Sequence, residues 1–348
     1  MTTTGPRGVS SRRTAVSGKV MAHIETCRLD SSFYVGIVGV AGALLAEDDP
    51  AVWQLVGVWL VPTLGWLASL YGGDYFDRDL DAIGKQHRSI PSGRMSAREA
   101  FIGMVLTIVL GAAVAIALNP MNIVLVVLAG GLGFSYSKWF KARGILGNIA
   151  RGGPTAFSLL LGAMSVSGTV PVDLLPVALM FWLHDSSSNL VGALCDMDSD
   201  RRGGYATFPV RHGDLATIRL VAALDVCWVA LAVSVPIGWE LAGSRAVHWG
   251  IYGTGMAVAA TLAVISVAIL ARAPRPTPRL AGLRAHELIV IERLWPPCVL
   301  IAATAGLPLA LVFFVPSLVI TRSAQLMMRG RYEPGRVVRR NDLVEGAS

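Results

Sequence analysis

Charge is scarce in this chain. Of its 348 residues only 15% are Asp, Glu, Lys or Arg, while 53% are hydrophobic. That composition excludes an ordinary soluble domain and places the chain among polytopic membrane proteins. Cysteine is scarcer still: Cys27, Cys195, Cys227 and Cys298 are scattered without CxxC spacing, so neither a disulfide framework nor a zinc site is indicated. No GxxxxGK[ST] phosphate loop or GxGxxG fingerprint occurs, which removes the common nucleotide-binding signatures. Residues 1–20 lack the apolar core of a cleaved signal. Their Ser/Thr/Arg-rich composition reads as a disordered cytoplasmic arm.

What is abundant is apolar sequence. Stretches long enough to span a bilayer, or nearly so, lie near residues 33–46, 52–71, 100–118, 121–135, 146–167, 171–194, 216–240, 248–271 and 295–320. They predict an all-α transmembrane bundle of about nine helices around a central cavity. Residues 21–320 would form this domain, and 321–348 a basic polar tail. The loops sort by charge. Those after the second, fourth, sixth and eighth stretches carry Arg78, Lys85, Arg88, Arg94 and Arg98, then Lys138, Lys141 and Arg143, then Arg201, Arg202 and Arg211, then Arg272, Arg275, Arg279, Arg284 and Arg293. Three of the opposite loops hold no Lys or Arg, and the one near Trp239 holds only Arg245. The positive-inside rule therefore puts the charged loops and the N-terminus in the cytoplasm. One feature disagrees: nine spans leave the arginine-rich tail after Thr321 outside. Either the last stretch, broken by Pro308 and Pro316, re-enters, or the tail is tolerated there.

Two aspartate clusters stand where apolar stretches end, Gly73-Asp74-Tyr75-Phe76-Asp77-Arg78-Asp79-Leu80-Asp81 and Asp196-Met197-Asp198-Ser199-Asp200. A carboxylate at the bilayer centre costs about 2.5–3.5 kcal/mol, so acidic clusters near membrane depth call for compensating cations. On a helix Asp74, Asp77 and Asp81 share one face, and so do Asp196 and Asp200. Two facing carboxylate patches suit Mg²⁺, which binds one or two carboxylates and completes its shell with water and substrate phosphates. The bland alternative is a pair of solvated acidic loops. Lys85 and Arg88 follow the first cluster by four and seven residues and suit phosphate oxygens left over by the metals; as positive-inside anchors they would need no ligand at all. Upstream of the second cluster runs His184-Asp185-Ser186-Ser187-Ser188-Asn189, unusual inside an apolar helix. Asp185 and Asn189 fall on the face of Asp196, so this run lines a substrate cavity or bonds neighbouring helices.

These residues resemble the UbiA superfamily of intramembrane prenyltransferases. Its first motif, Asn-Asp-x-x-Asp-x-x-x-Asp followed by a Lys/Arg-x-x-Arg segment and Pro-Ser-Gly, is matched by Asp74, Asp77, Asp81, Lys85, Arg88 and Ile90-Pro91-Ser92-Gly93. Its second motif is matched by Asp196, Asp200, Gly204 and Thr207-Phe208-Pro209-Val210. The Tyr-Ser segment with a nearby lysine looks like Tyr136-Ser137-Lys138-Trp139-Phe140-Lys141, with either lysine in the family role. Gly73 stands where the family has Asn, and Ser89 where Pro is common. The resemblance implies Mg²⁺ held by Asp74, Asp77, Asp81, Asp196 and Asp200, and a prenyl diphosphate gripped by Lys85, Arg88, Tyr136 and Lys138 or Lys141. An allylic carbocation is then captured by an aromatic or lipid-linked acceptor. The alternative is a membrane terpene cyclase, in which the substrate's own double bond captures the cation; a transporter or scaffold would not need both carboxylate sets. The expected partners are the prenyl diphosphate, its acceptor and membrane lipid, with no nucleic acid: anionic lipid and diphosphate account for the net charge of +7. The expected location is a bacterial cell membrane, with the site facing the cytoplasm.

Overall fold

The computed structural model describes residues 8–332. In chain order the helices are α1 Gly8–Cys27, α2 Tyr34–Ala46, α3 Val52–Phe76, α4 Arg78–Gly84, α5 Ala97–Leu118, α6 Asn122–Ser135 (continued by a π-helical turn, Tyr136–Phe140), α7 Ile145–Ser167, α8 Leu175–Cys195, α9 Met197–Arg202, α10 Phe208–Leu241, α11 Trp249–Arg272, α12 Arg279–Glu292, α13 Trp295–Ala305 and α14 Leu307–Tyr332. Among the described residues there is no strand, only an isolated parallel bridge between Gly144 and Thr207. A chain this poor in backbone partners outside helices is what a bilayer demands, because a helix satisfies its own N–H and C=O groups.

Seven of these helical segments are long and apolar enough to cross a membrane: Val52–Phe76, Ala97–Leu118, Asn122–Phe140, Phe208–Leu241, Trp249–Arg272, Arg279–Ala305 and Leu307–Met328. Alongside them run α7, α8 and the shorter apolar α2. The largest of three core clusters among the described residues joins α2, α3, α7, α8 and α13, with other helices, around Ile37, Leu159, Phe181 and Ile301, each fully buried. Where α2 crosses α7, a Cβ on Gly42 would strike the Leu159 carbonyl, and one on Gly162 the Gly39 carbonyl. Only glycine permits this close helix contact, which in lipid replaces the hydrophobic drive that water would supply.

The sequence expectation of about nine spans miscounts the C-terminal region. The stretch 295–320 is two helices, because Gly306 adopts φ +92 and ψ 158 and turns the chain. Before it, Arg279–Ala305 rises as one long segment in which α12 precedes α13. The C-terminal region therefore holds two candidate spans, Arg279–Ala305 and Leu307–Met328, where hydropathy gave one. Thr321 Oγ1 donates to the Asp30 carbonyl (3.0 Å) and Gln325 Nε2 to the Glu287 carbonyl (3.0 Å). The end of α14 thus lies at the same end of the bundle as the aspartates. The proposed boundary at residue 320 falls inside α14; residues 333–348 of the tail lie outside the described residues.

The N-terminal arm needs a similar correction. Residues 8–20, expected to be disordered, belong to α1; residues 1–7 lie outside the described residues. Composition misleads here because docking, not hydrophobicity, holds the helix. Lys19 pairs with Glu99 (2.8 Å), His23 Nδ1 is 3.0 Å from the Tyr71 hydroxyl, and Ala22 is fully buried beside Tyr71, Met95 and Ala100.

Candidate functional site

Both aspartate clusters are built on the same local device. α3 ends at Phe76 and α4 begins at Arg78, with Asp77 between them at φ −88, ψ 2. α8 ends at Cys195 and α9 begins at Met197, with Asp196 between them at φ −93, ψ 1. These dihedrals lie in the sparsely populated bridge region. Each long helix thereby bends into a short one without losing its helical hydrogen bonds: Asp81 N donates to the Asp77 carbonyl and Asp200 N to the Asp196 carbonyl, both at 2.8 Å. The spacing read from the sequence survives the bend.

The bends meet over one cavity of about 350 Å³. Asp77, Asp196, Asp200, Lys85, Arg88, Tyr136, Lys141, Asp185, Ser188 and Asn189 all line it. Asp74 and Asp81 stand behind the rim and are buried. Asp81 borders a smaller adjoining hollow with Lys85, Lys141 and Asp200. Every carboxylate but one has a cationic partner. Lys141 Nζ lies 2.6 Å from Asp77, Lys85 Nζ 3.1 Å from Asp196, and Arg88 Nη1 2.8 Å from Asp81 and 3.5 Å from Asp74. Asp77 also accepts from the Tyr205 hydroxyl (3.2 Å), and Asp74 from Thr26 on α1 (2.8 Å). Asp200 is the exception, with no ion pair among the described residues. The loops are held in register by the Gly144–Thr207 bridge, in which Gly144 N donates to the Ala206 carbonyl (3.0 Å).

Electrostatics sort the carboxylates. Burial raises the Asp200 carboxyl, and repulsion from Asp196 adds to it, bringing it to about 6. Burial also raises Asp81, although Arg88 and Lys85 pull the other way. Asp196 goes down: burial opposes this, but Lys85 and Arg88 outweigh it. Lys141 is raised because Asp77 overrides the effect of burial. Among the described residues no three acidic, His or Cys side chains converge on one point, since cations separate them. The donor set still fits Mg²⁺, which needs only one or two carboxylates when water and substrate phosphate complete its shell. A diphosphate arriving with metal would give Lys85, Arg88 and Lys141 phosphate oxygens in exchange for carboxylates.

Of the two candidate lysines only Lys141 faces the cavity. Lys138 points away, 5.6 Å and 5.5 Å from the ring centres of Phe134 and Trp139; the π-helical turn adds a residue and shifts which side chain faces inward. The polar run on α8 divides by helical period. Asp185, Ser188 and Asn189 line the cavity, whereas His184 sits 2.8 Å from Glu292 and Ser187 donates to Asp225 (2.7 Å). Hydrogen bonding to neighbouring helices occurs on both faces, and the cavity-facing residues take part in it too. Asn189 accepts from Asn148 (2.8 Å), and Asp185 accepts from Thr155 (2.9 Å) and pairs with Arg293. Ser89, where the family has proline, donates to the Ala22 carbonyl (3.0 Å) and accepts from Thr26 (3.1 Å), so it ties α1 to the first cluster. Gly73 lines the cavity, and a Cβ there would meet nothing within 4 Å; the space a family Asn would fill is open. Arg28, Asp30, Trp66, Asn148, Arg151 and His286 also line the cavity and were not proposed as site residues; Arg293, read from sequence as a loop cation, is instead buried in the cavity wall, where it pairs with Asp185. Arg151 had a visible signal, a lone charge inside an apolar stretch.

The model of the UbiA prenyltransferase family matches residues 35–285. The chain belongs to the UbiA prenyltransferase family. It is similar to the digeranylgeranylglyceryl phosphate synthase of Korarchaeum cryptofilum, 28% identical over 226 residues, which cover 65% of this chain and 79% of that protein. The synthase of the same name from Ignicoccus hospitalis is 31% identical over 226 residues, 62% of this chain and 72% of that protein. Solved structures share the fold. A UbiA homologue from Aeropyrum pernix superposes with a TM-score of 0.66 at 18% identity, covering 80% of this chain and 97% of that one. One from Archaeoglobus fulgidus, bound to GPP and Mg²⁺, gives 0.62 at 17% identity, covering 81% and 99%. This UbiA protein is thus an integral membrane prenyltransferase. These relatives are archaeal and lend no support to the expected bacterial membrane.

Proposed function

We propose that this UbiA protein transfers an isoprenyl group from a prenyl diphosphate to a lipid-linked hydroxyl acceptor, with Mg²⁺ bound among Asp77, Asp196 and Asp200 and supported by Asp74 and Asp81. The observation that carries the reading is the ring of alternating carboxylates and cations around one cavity. Five carboxylates face three cations there, an excess of negative charge that suits divalent ions followed by a diphosphate. Mg²⁺ would supply neutralisation of the leaving diphosphate, which lowers the barrier to breaking the allylic C–O bond. The chain's own residues do the rest. Lys85, Arg88 and Lys141 bind and orient the diphosphate; the apolar helices exclude water from the allylic cation. The lipid-linked acceptor is favoured over an aromatic one by the curated relatives, whose name describes a prenylated glyceryl phosphate. Loop charge supports a site at the cytoplasmic face.

The test is product analysis. Purified protein with Mg²⁺, C10–C20 prenyl diphosphates and a prenylglyceryl phosphate should give a doubly prenylated glyceryl phosphate, and none in EDTA. A cyclised hydrocarbon formed without acceptor would overturn the reading in favour of a terpene cyclase.

A further inference from the structure

The deep end of the cavity has chemistry that the diphosphate does not use. Trp66 precedes Asp77 by eleven residues on α3, and Asp185 precedes Asp196 by eleven on α8, so each lies about 16 Å further along its helix. At this level Arg151 of α7 stacks on Trp66, with its guanidinium carbon 4.0 Å from the ring centre. Arg293 lies 4.2 Å from the Tyr34 ring centre and 5.6 Å from that of Trp66. Arg293 has Asp185 as its partner. Arg151 has no side-chain hydrogen bond or ion pair among the described residues. Two further donors here are buried and unsatisfied, Trp66 Nε1 and Arg293 Nε. Among the charged groups that line this part of the cavity, the Arg28, Arg151 and Arg293 guanidiniums outnumber the Asp30 and Asp185 carboxylates, and the buried Glu292 behind them is engaged by His184 at 2.8 Å.

We propose that Arg151, with Trp66 Nε1 and Arg293 Nε, forms a subsite for the anionic head group of the acceptor, a phosphate or a carboxylate. Stacking uses only the face of the guanidinium and leaves its in-plane N–H groups free for a bidentate anion. A cation at membrane depth without a carboxylate carries an uncompensated desolvation penalty, and a bound anion removes it. The floor is separated from the rim, where Lys85, Arg88 and Lys141 already serve the diphosphate. This inference rests on the prenyl-transfer reading and names the acceptor chemistry that reading requires.

The test compares wild type with Arg151→Gln, Arg151→Lys and Trp66→Phe. Probes are a prenylglyceryl phosphate, 4-hydroxybenzoate, and the dephosphorylated prenylglycerol; readouts are KM values and thermal stabilisation of the Mg²⁺-free protein by each probe. Arg151→Gln should raise KM for the anionic acceptor by about tenfold and abolish its stabilisation, while KM for prenyl diphosphate stays within about twofold. Arg151→Lys should recover part of the loss, because the charge remains but the bidentate geometry does not. Prenylglycerol should not distinguish wild type from the variants. Whichever anion stabilises the wild type identifies phosphate or carboxylate as the natural group. A folded Arg151→Gln protein with unchanged acceptor KM and stabilisation, or with diphosphate KM raised in parallel, overturns the proposal. If the wild type transfers to neither acceptor, the transfer reading fails, and the stabilisation measurements alone decide the subsite. Should Arg151→Gln not fold, Arg151→Lys and Trp66→Phe carry the same comparison.

Discussion

The rim and the floor of the cavity are built from opposite charge balances. At and just behind the rim, Asp74, Asp77, Asp81, Asp196 and Asp200 outnumber Lys85, Arg88 and Lys141. At the floor, Arg28, Arg151 and Arg293 outnumber the lining carboxylates of Asp30 and Asp185, and the Arg151 and Arg293 guanidiniums lie over aromatic rings. The rim is therefore suited to metal and a leaving diphosphate, the floor to whatever meets the allylic carbon. The difference teaches that one cavity among apolar helices can present opposite charge balances at its two ends.

Mutations at the rim should have the largest effect. Asp77→Asn or Asp196→Asn should lower turnover by about 10³-fold, measured as product formed by protein that elutes and melts like wild type. Either variant with full activity, or wild type active in EDTA, would break the assignment of the rim to metal. Next comes neutralisation of the rim cations. Lys85→Met, Arg88→Met or Lys141→Met should raise KM for the prenyl diphosphate by about 10–100-fold with every acceptor alike. Lys138→Met should not, because Lys138 lies over Phe134 and Trp139; equal losses at Lys138 and Lys141 would mean that the π-helical turn rearranges on binding.

At the floor the effects should be smaller and different in kind. Asn189→Ala should change product distribution or acceptor preference by a few-fold, with little change in diphosphate affinity. Asp185→Ala is a weaker probe of selectivity than its cavity position suggests. It strips the buried Arg293 of its carboxylate, a change that costs about 3–5 kcal/mol, so a fall in melting temperature should precede any change of product. Asp30 supplies a pH test of the floor. Burial lifts its carboxyl from 3.8 to about 6, although Arg28 opposes the shift. A raised acid binds its proton more tightly in the folded state, so stability should decline as pH rises from about 4 to about 6. Asp30→Asn should flatten that decline in a melting-temperature series. Smallest of all, Asp79→Asn and Asp198→Asn should leave turnover within about threefold, since their side chains are 89% and 84% exposed.

Much of this arrangement was legible in the residues. Apolar length located α5, α7 and α11 within a few residues, and the aspartate spacing survived the bends at Asp77 and Asp196 because those bends keep the i to i−4 hydrogen bonds. Charged loops, which cannot lie in lipid, marked the end of the bundle that holds the site. Other features depended on distant contacts. Gly306 turns an apolar run that hydropathy reads as one span, and only the bonds from Thr321 and Gln325 show where α14 ends. The polar composition of α1 gave no sign that Thr26 would reach Asp74.

The sequence by itself determined that this is a helical membrane protein with two carboxylate sets at one end, because its apolar stretches run at helical rather than barrel-strand length and charge is confined to their ends. Only the tertiary structure decided which carboxylate meets which cation and that Lys141 rather than Lys138 faces inward. It also set Arg151 of α7 on Trp66 of α3. Such pairings join helices far apart in sequence, and their geometry is fixed by packing rather than by any local pattern.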